Sequence, residues 1–272
     1  MNRPKVAVVI STYNSPAFLQ LVLEGYRKQT DLNFSIYIAD DGSDDETRAL
    51  IARQQIDFPV PIHHVWHEDL GFRKARIHNI TIQQIDKPYL LLTDGDCVPL
   101  PRTVETHRNV AKQNHLISGG RVLLSQQWTE RLSSGDVELH SDASLTEWLS
   151  HRLKNNINRI LPLCIPPHLG RANRKLRGIR GCHVSCWLDD LRKINGFDES
   201  YEGWGREDSD LVARLFHAGI YRIDLRGMPV LHLWHREEKR EQLNKNDLLL
   251  AECLESKRIE AMKGLKQLQE SP

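Results

Sequence analysis

Glycine-rich phosphate loops are missing from this chain. It contains neither G-x-G-x-x-G nor G-x-x-x-x-G-K-[ST], so neither a dinucleotide fingerprint nor a P-loop is supported. Long apolar runs are missing too. Val6 to Ile10 spans only five residues, too short for a signal peptide or a membrane span. Cysteine is sparse, at five residues, an odd number without regular pairing. That suits reduced thiols in a cytosolic protein. Cys182 and Cys186 lack a second Cys/His pair at zinc-site spacing, and read as buried thiols. Excess charge is also absent: 37 basic against 36 acidic residues give +1, no global signal for nucleic acid.

What is present is alternation. Val6–Ile10 reads as a buried strand, and Ser15-Pro16 starts a helix running to about residue 29. Phe34–Ala39 is a second strand, and the acid-rich start of the next helix follows it. Ile62–Val65 is a third strand, and Leu70-Gly71-Phe72-Arg73 opens a helix running to about Gln84. Tyr89–Leu92 is the fourth strand. This order predicts an α/β domain with a mostly parallel sheet flanked by helices.

Polar residues gather just after these strands: Ser11 and Tyr13, Asp40 and Asp41, Asp94 and Asp96. In a parallel sheet they share the edge where ligands bind. Tyr13 could stack on a base, and Asp41 could accept its ring N–H. Asp94-Gly95-Asp96 offers hard oxygen ligands on a tight turn, suited to Mg²⁺ or Mn²⁺ holding a diphosphate. The same residues also make a plain acidic turn. Arg73, Lys74 and Arg76 read equally as phosphate contacts or as a solvated helix face.

Ile10-Ser-Thr-Tyr-Asn14, Ala39-Asp-Asp-Gly-Ser-Asp44 and Thr93-Asp-Gly-Asp96 resemble the family-two glycosyltransferases with the GT-A (Rossmann-like) fold. The resemblance implies a nucleotide-sugar donor, with Ser11, Tyr13 and Asp41 on uracil and Arg73 on the diphosphate. It also implies that Asp96 is a direct metal ligand. Asp94 would orient the donor and touch the metal secondarily.

Further along, a helix is expected over about 102–113 and a glycine-broken strand over 116–124. From 151 to 180 there are eight basic residues and no acid: Arg152, Lys154, Arg159, Arg171, Arg174, Lys175, Arg177 and Arg180. This irregular stretch suits anionic lipid headgroups or an anionic acceptor; a solvated basic loop fits equally. A helix follows over about 188–194. Gly203-Trp204-Gly205 is a tight loop that presents an indole, and Glu207, Asp208 and Asp210 open a helix. His232 and His235 follow a short apolar strand. Residues 243–268 read as one amphipathic helix that packs back on the sheet or lies on a membrane surface, its mixed acids and bases favouring docking.

Gly203 to Asp208, with His232 and His235, resembles the G-W-G-x-E-D segment of β-1,4-galactosyltransferases and related bacterial enzymes of capsule and lipopolysaccharide assembly. That resemblance makes Asp208 the catalytic base. Trp204 and Glu207 become sugar contacts, His235 a metal ligand and His232 a further one. Asp210 is read as stabilising its helix. His183 departs from the asparagine common in similar enzymes.

The expectation is a single GT-A domain with a donor half over 1–100, an acceptor half over 101–240 and a C-terminal helix over 241–272. Its function would be metal-dependent inverting transfer from a UDP-sugar to a saccharide or glycolipid acceptor, in lipopolysaccharide, O-antigen or capsule synthesis. Mn²⁺ or Mg²⁺ is the expected cofactor. The expected place is the cytoplasm, with peripheral contact at the inner membrane through 151–180. A nucleotidyltransferase and a non-catalytic sugar-nucleotide or polysaccharide-binding subunit are the alternatives.

Overall fold

The computed structural model describes residues 3–236 and 242–269. Most of the charged run over 236–240 therefore lies outside the described residues. The first half alternates as expected: β1 (Val6–Thr12), α1 (Pro16–Arg27), β2 (Phe34–Asp40), α2 (Asp45–Asp57), β3 (Ile62–Trp66), α3 (Lys74–Gln84) and β4 (Tyr89–Asp94). The middle contains β5 (Cys97–Val98), α4 (Thr103–Val110), β6 (His115–Ser118), β7 (Arg121–Leu123), α5 (Gln126–Ser133), α6 (Leu145–Leu153), α7 (Leu161–Cys164) and β8 (His168–Leu169). The last part holds β9 (His183–Trp187), α8 (Leu188–Lys193), α9 (Glu207–His217), β10 (Tyr221–Arg226), β11 (Val230–His232), α10 (Leu243–Ser256) and α11 (Leu265–Gln269).

The large sheet has the order β3-β2-β1-β4-β9-β6-β10-β8. Its first four strands are parallel, whereas β9 runs antiparallel between β4 and β6. A small sheet, β5-β11-β7, packs on one face. Alternate residues of β1 serve opposite cores. Val6, Val8 and Ile10 meet α1, α2 and the small sheet; Ala7 and Val9 meet α3, α8 and α9. With both faces covered, β1 reads as a continuous apolar run rather than an alternating one. Each buried valine, isoleucine or leucine contributes roughly 1.5–3 kcal/mol.

Three expectations need correction. The segment over 116–124 is two strands in two sheets, because the chain changes sheets at Gly119-Gly120. The segment over 243–268 is not one helix. Lys257 turns left-handed (φ 53°) and ends α10. The chain then doubles back, with Met262 N–H and Lys263 N–H donating to Asp198 and Ala261 N–H donating to the Ile194 carbonyl. Tertiary docking thus overrides helical periodicity there. The connection over 151–180 is more ordered than read: it contains the end of α6, all of α7 and β8. Arg222 on β10 fastens its basic part by donating to the carbonyls of Lys175 and Arg177.

Candidate active site

Parallel register brings the motif ends together. Ser11 lies opposite Asp94, and Thr12 opposite Asp40. The Ser11 hydroxyl donates to Asp94 Oδ1 at 2.7 Å, and Gly95 N–H donates to the Ser11 carbonyl at 2.7 Å. The acidic turn is thus stitched to the end of β1.

On the outer side, Asp41 accepts from His67 Nε2 at 2.6 Å and from Arg73 N–H at 2.9 Å. The half-exposed Tyr13 donates through its hydroxyl to Asp69 at 2.8 Å. Tyr13 and Asp41 are therefore both tied to the loop carrying His67 and Asp69. The Arg73 guanidinium turns to the Glu68 carbonyl.

Lys74, not Arg73, reaches the acidic turn. Its Nζ stands 2.9 Å from Asp94 Oδ1 and 4.0 Å from Glu207 Oε1. Burial alone would lower its pKa, but the charges of Asp94, Asp208 and Glu207 outweigh it and raise it well above the usual lysine value. Arg76 pairs with the buried Glu199 at 3.0 Å. Neither Lys74 nor Arg76 belongs to a solvated face, which corrects that reading. Lys74 was legible only as one of three clustered cations; its place at the first position of α3 was the usable signal.

Glu207 and Asp208 begin α9, held there by a braced loop. Gly203 and Gly205 take positive φ, and Arg206 also adopts the left-handed region (φ 78°). A non-glycine residue there costs about 1 kcal/mol or more, compensated by surrounding contacts. The Asn246 amide on α10 donates to the carbonyls of Glu202 and Gly205, and Gly203 N–H to that of Phe72. Trp204 lies exposed on this loop.

Burial and the neighbouring Asp208 push the Glu207 carboxyl up to about 7, against the opposing pull of Lys74. Glu207 Oε2 is buried with no hydrogen-bond partner among the described residues, an acceptor available to a ligand hydroxyl. Burial also raises the Asp208 carboxyl; Lys74 and the Gly181 N–H, 3.0 Å from Asp208 Oδ2, counter it. Gly181 went unread in the sequence. A Cβ there would stand 2.2 Å from both Asp208 oxygens, so only glycine permits this approach.

On the other side of the turn, Asp96 Oδ2 lies 3.0 Å from His235 Nε2 and 3.6 Å from His232 Nε2. The short β5–β11 pairing aligns Cys97 with His232 and produces this meeting. Burial alone would raise the Asp96 pKa; the His235 hydrogen bond, the His232 charge and the Cys97 thiol outweigh it and hold it at about 2. Ligand atoms of Asp96, Cys97 and His232 lie within 4.8 Å of one another, and His235 reaches the same Asp96 oxygen. Burial pushes the Cys97 thiol well up, so it stays protonated and donates to Asp96 Oδ1 at 3.1 Å. His235 Nδ1–H donates to the Arg236 carbonyl at 2.7 Å. The hydrogen bond to Asp96 uses a proton on Nε2, so both ring nitrogens donate here; a bound cation would take the place of the Nε2 proton. A carboxylate and two imidazoles around one space form a donor set that fits a divalent transition-metal ion.

Asp210 has no place in this cluster. It forms a buried pair with Arg214 at 2.7 Å and accepts from the Tyr201 hydroxyl and Arg258. His183 is buried on β9 beside Thr93 and hydrogen-bonds His107 and the Gly120 carbonyl.

Residues 7–187 match the family model for glycosyl transferase family 2. The chain belongs to that family. Within this family 2 chain, residues 169–235 also match a model described as the N-terminal domain of galactosyltransferase, spanning Gly181, Asp208 and both histidines. The chain is 28% identical over 228 residues to validoxylamine A glucosyltransferase of Streptomyces hygroscopicus subsp. jinggangensis, covering 80% of this chain and 52% of that protein. It is 24% identical to hyaluronan synthase of Pasteurella multocida, covering 84% and 24%. The chain thus spans about half or less of the length of these relatives. Among solved structures, Staphylococcus aureus TarS 1–349 in complex with UDP superposes with a TM-score of 0.60 at 13% identity, covering 91% of this chain and 64% of that one. The mannosyltransferase PcManGT from Pyrobaculum calidifontis, in complex with GDP-Man and Mn²⁺, superposes with a TM-score of 0.58 at 15% identity, covering 87% and 59%. The GT-A fold expected from the motifs is therefore the fold observed.

Proposed function

We propose that this family 2 chain is a metal-dependent inverting glycosyltransferase that moves a sugar from a UDP-sugar to a saccharide or glycolipid acceptor. The carrying observation is Lys74, which joins the donor-side Asp94 to Glu207 and Asp208, more than a hundred residues away in sequence. Residues 1–100 supply the donor side, where Tyr13 stacks on the base and Asp41 and Ser11 fix it; Arg73 would leave the Glu68 carbonyl to reach the diphosphate. Residues 101–240 supply the acceptor side, with Trp204 against a sugar face and Glu207 Oε2 accepting a hydroxyl.

Asp208 takes the proton of the acceptor hydroxyl as its oxygen bonds to the anomeric carbon. The bond from that carbon to the diphosphate breaks, and its electrons leave with UDP. An α-linked donor therefore yields a β-glycoside. Asp96, His235 and His232 would hold Mn²⁺ or Mg²⁺, with Asp94 as a secondary ligand; the bound cation supplies charge neutralisation at the diphosphate. Placement in lipopolysaccharide, O-antigen or capsule synthesis, on the cytoplasmic side, rests on the galactosyltransferase-like segment and the basic stretch over 151–180.

The test is release of UDP from a panel of UDP-sugars, and of GDP from GDP-mannose, in the presence of Mn²⁺ and then of chelator. Donor cleavage that chelator abolishes and Mn²⁺ restores is expected. Pyrophosphate as the product would indicate a nucleotidyltransferase instead. Nucleotide binding without any donor cleavage would indicate a binding subunit.

A further inference from the structure

Helix α6 carries an apolar stripe that the fold leaves uncovered. Leu145, Leu149 and Leu153, at i, i+4 and i+8, are 57%, 47% and 75% exposed. This spacing lines one side of a helix. Trp148 is the residue α6 buries. The neighbouring α7 adds Leu161, 66% exposed. Large leucines exposed in series on one element mark a surface that meets another phase.

The charge around the stripe chooses that phase. By helical position Arg152 falls beside the leucines, whereas Glu147, the only acid of α6, sits on the other side. There Glu147 closes a capping box with Ser144. From Trp148 to Cys164, through the end of α6 and all of α7, the chain carries Arg152, Lys154 and Arg159 and no acidic residue. The later cations do not join this face: Leu176 and Ile179 among them pack into the opposite core, and the Arg180 charge acts on Asp208. No described helix is long and apolar enough to cross a membrane, which leaves contact from one side.

We infer that α6 and α7 form a docking surface for an anionic lipid bilayer, with the leucines entering the acyl boundary and the flanking cations meeting the headgroups. A bilayer of anionic lipid pairs an apolar interior with negative headgroups, as this surface requires. The inference is independent of the sugar-transfer reading, since none of these residues lies in the candidate active site.

The test is co-sedimentation of the purified chain with vesicles. One set contains phosphatidylcholine with roughly three phosphatidylglycerols in ten lipids, and the other phosphatidylcholine alone. Binding to the first set only is expected, and the Leu145→Ser/Leu149→Ser/Leu153→Ser variant should bind at least ~10-fold more weakly. Thermal melting followed by circular dichroism checks that this variant folds. If it does not, Leu153→Ser alone, at the most exposed position, should still weaken binding about threefold. No binding to either set would overturn the inference, as would equal binding to both or unchanged binding of the leucine variants. A dimer in solution that the leucine substitutions dissolve would overturn it in favour of a second copy of the chain.

Discussion

Replacing Gly181 by alanine tests the position of the proposed base without touching the base. The new methyl carbon would stand 2.2 Å from both carboxylate oxygens of Asp208. Ordinary contact begins near 3.4 Å, so the carboxylate must withdraw by about 1.2 Å. Withdrawal also breaks the 3.0 Å bond from Gly181 N–H, the backbone contact that orients Asp208. A misplacement of about 1 Å costs on the order of 10²-fold in rate. Gly181→Ala should therefore lower kcat for UDP release about 10²-fold, approaching the ~10²–10⁴-fold loss expected of Asp208→Asn. UDP affinity, measured by calorimetry, should stay within about twofold of wild type, because the bonds of Ser11, Tyr13 and Asp41 run to Asp94, Asp69, His67 and Arg73 rather than to Gly181 or Asp208. Turnover within about threefold of wild type would refute the assignment of Asp208 as base.

Lys74→Met removes the cation that lowers the Asp208 pKa. The acidic limb of the pH–kcat/KM profile should therefore move to higher pH; a limb that stays or moves down would contradict the pairing. Asp210→Ala strands the fully buried Arg214 and should cost about 3–5 kcal/mol in urea denaturation, where under 1 kcal/mol would deny the pair a structural role. His78 and His183 are held down at about 4 by burial, and His107 well below its usual value. Below about pH 6.5 the unfolded chain binds protons that the native histidines refuse, so stability is full above that pH and is lost as pH falls toward 4. Each histidine contributes a slope of up to about 1.4 kcal/mol per pH unit, and a flat denaturation profile across that window would be inconsistent with neutral burial. His235→Ala should raise the Mn²⁺ concentration needed for half-maximal UDP release by about tenfold or more; an unchanged requirement would remove His235 from the ligand set.

The half of the site carried by β1, β2 and β4 was legible because a parallel sheet aligns strand ends, and each strand announces itself by an apolar run stopped by polar residues. The half carried by α9 was legible only through its motif. Its geometry depends on contacts far apart in sequence, such as Asn246 on the loop carbonyls and Gly181 against Asp208. Nothing local in Arg180-Gly181-Cys182 signals that the next residues form an antiparallel strand between β4 and β6. The polar residues His183 and Ser185 hide its apolar alternation, because their partners lie on other elements. By contrast, α6 had a local signal, Ser144 followed three residues later by Glu147, which is a capping-box pattern.

Those buried partners also account for His183 itself. Its Nδ1 faces the Gly120 carbonyl at 3.0 Å, and a carbonyl only accepts, so Nδ1 carries the proton. Nε2 of the neutral ring must then accept, and His107 Nε2–H, 2.8 Å away, donates to it. His107 Nδ1 is left as an acceptor for the Ser185 hydroxyl at 2.7 Å, and Ser185 Oγ accepts from the Tyr89 hydroxyl at 2.9 Å. One backbone carbonyl therefore sets the direction of a four-residue chain crossing the sheet from β4 to the β6–β7 turn. The other side of the ring is closed by Gly119, where a Cβ would fall 2.2 Å from His183 Nδ1. Held on every side, His183 is a positioning residue. It anchors the Gly119-Gly120 crossover, from which the chain enters β7, the neighbour of the strand that delivers His232. The histidine at this position is thus committed to the crossover between the two sheets.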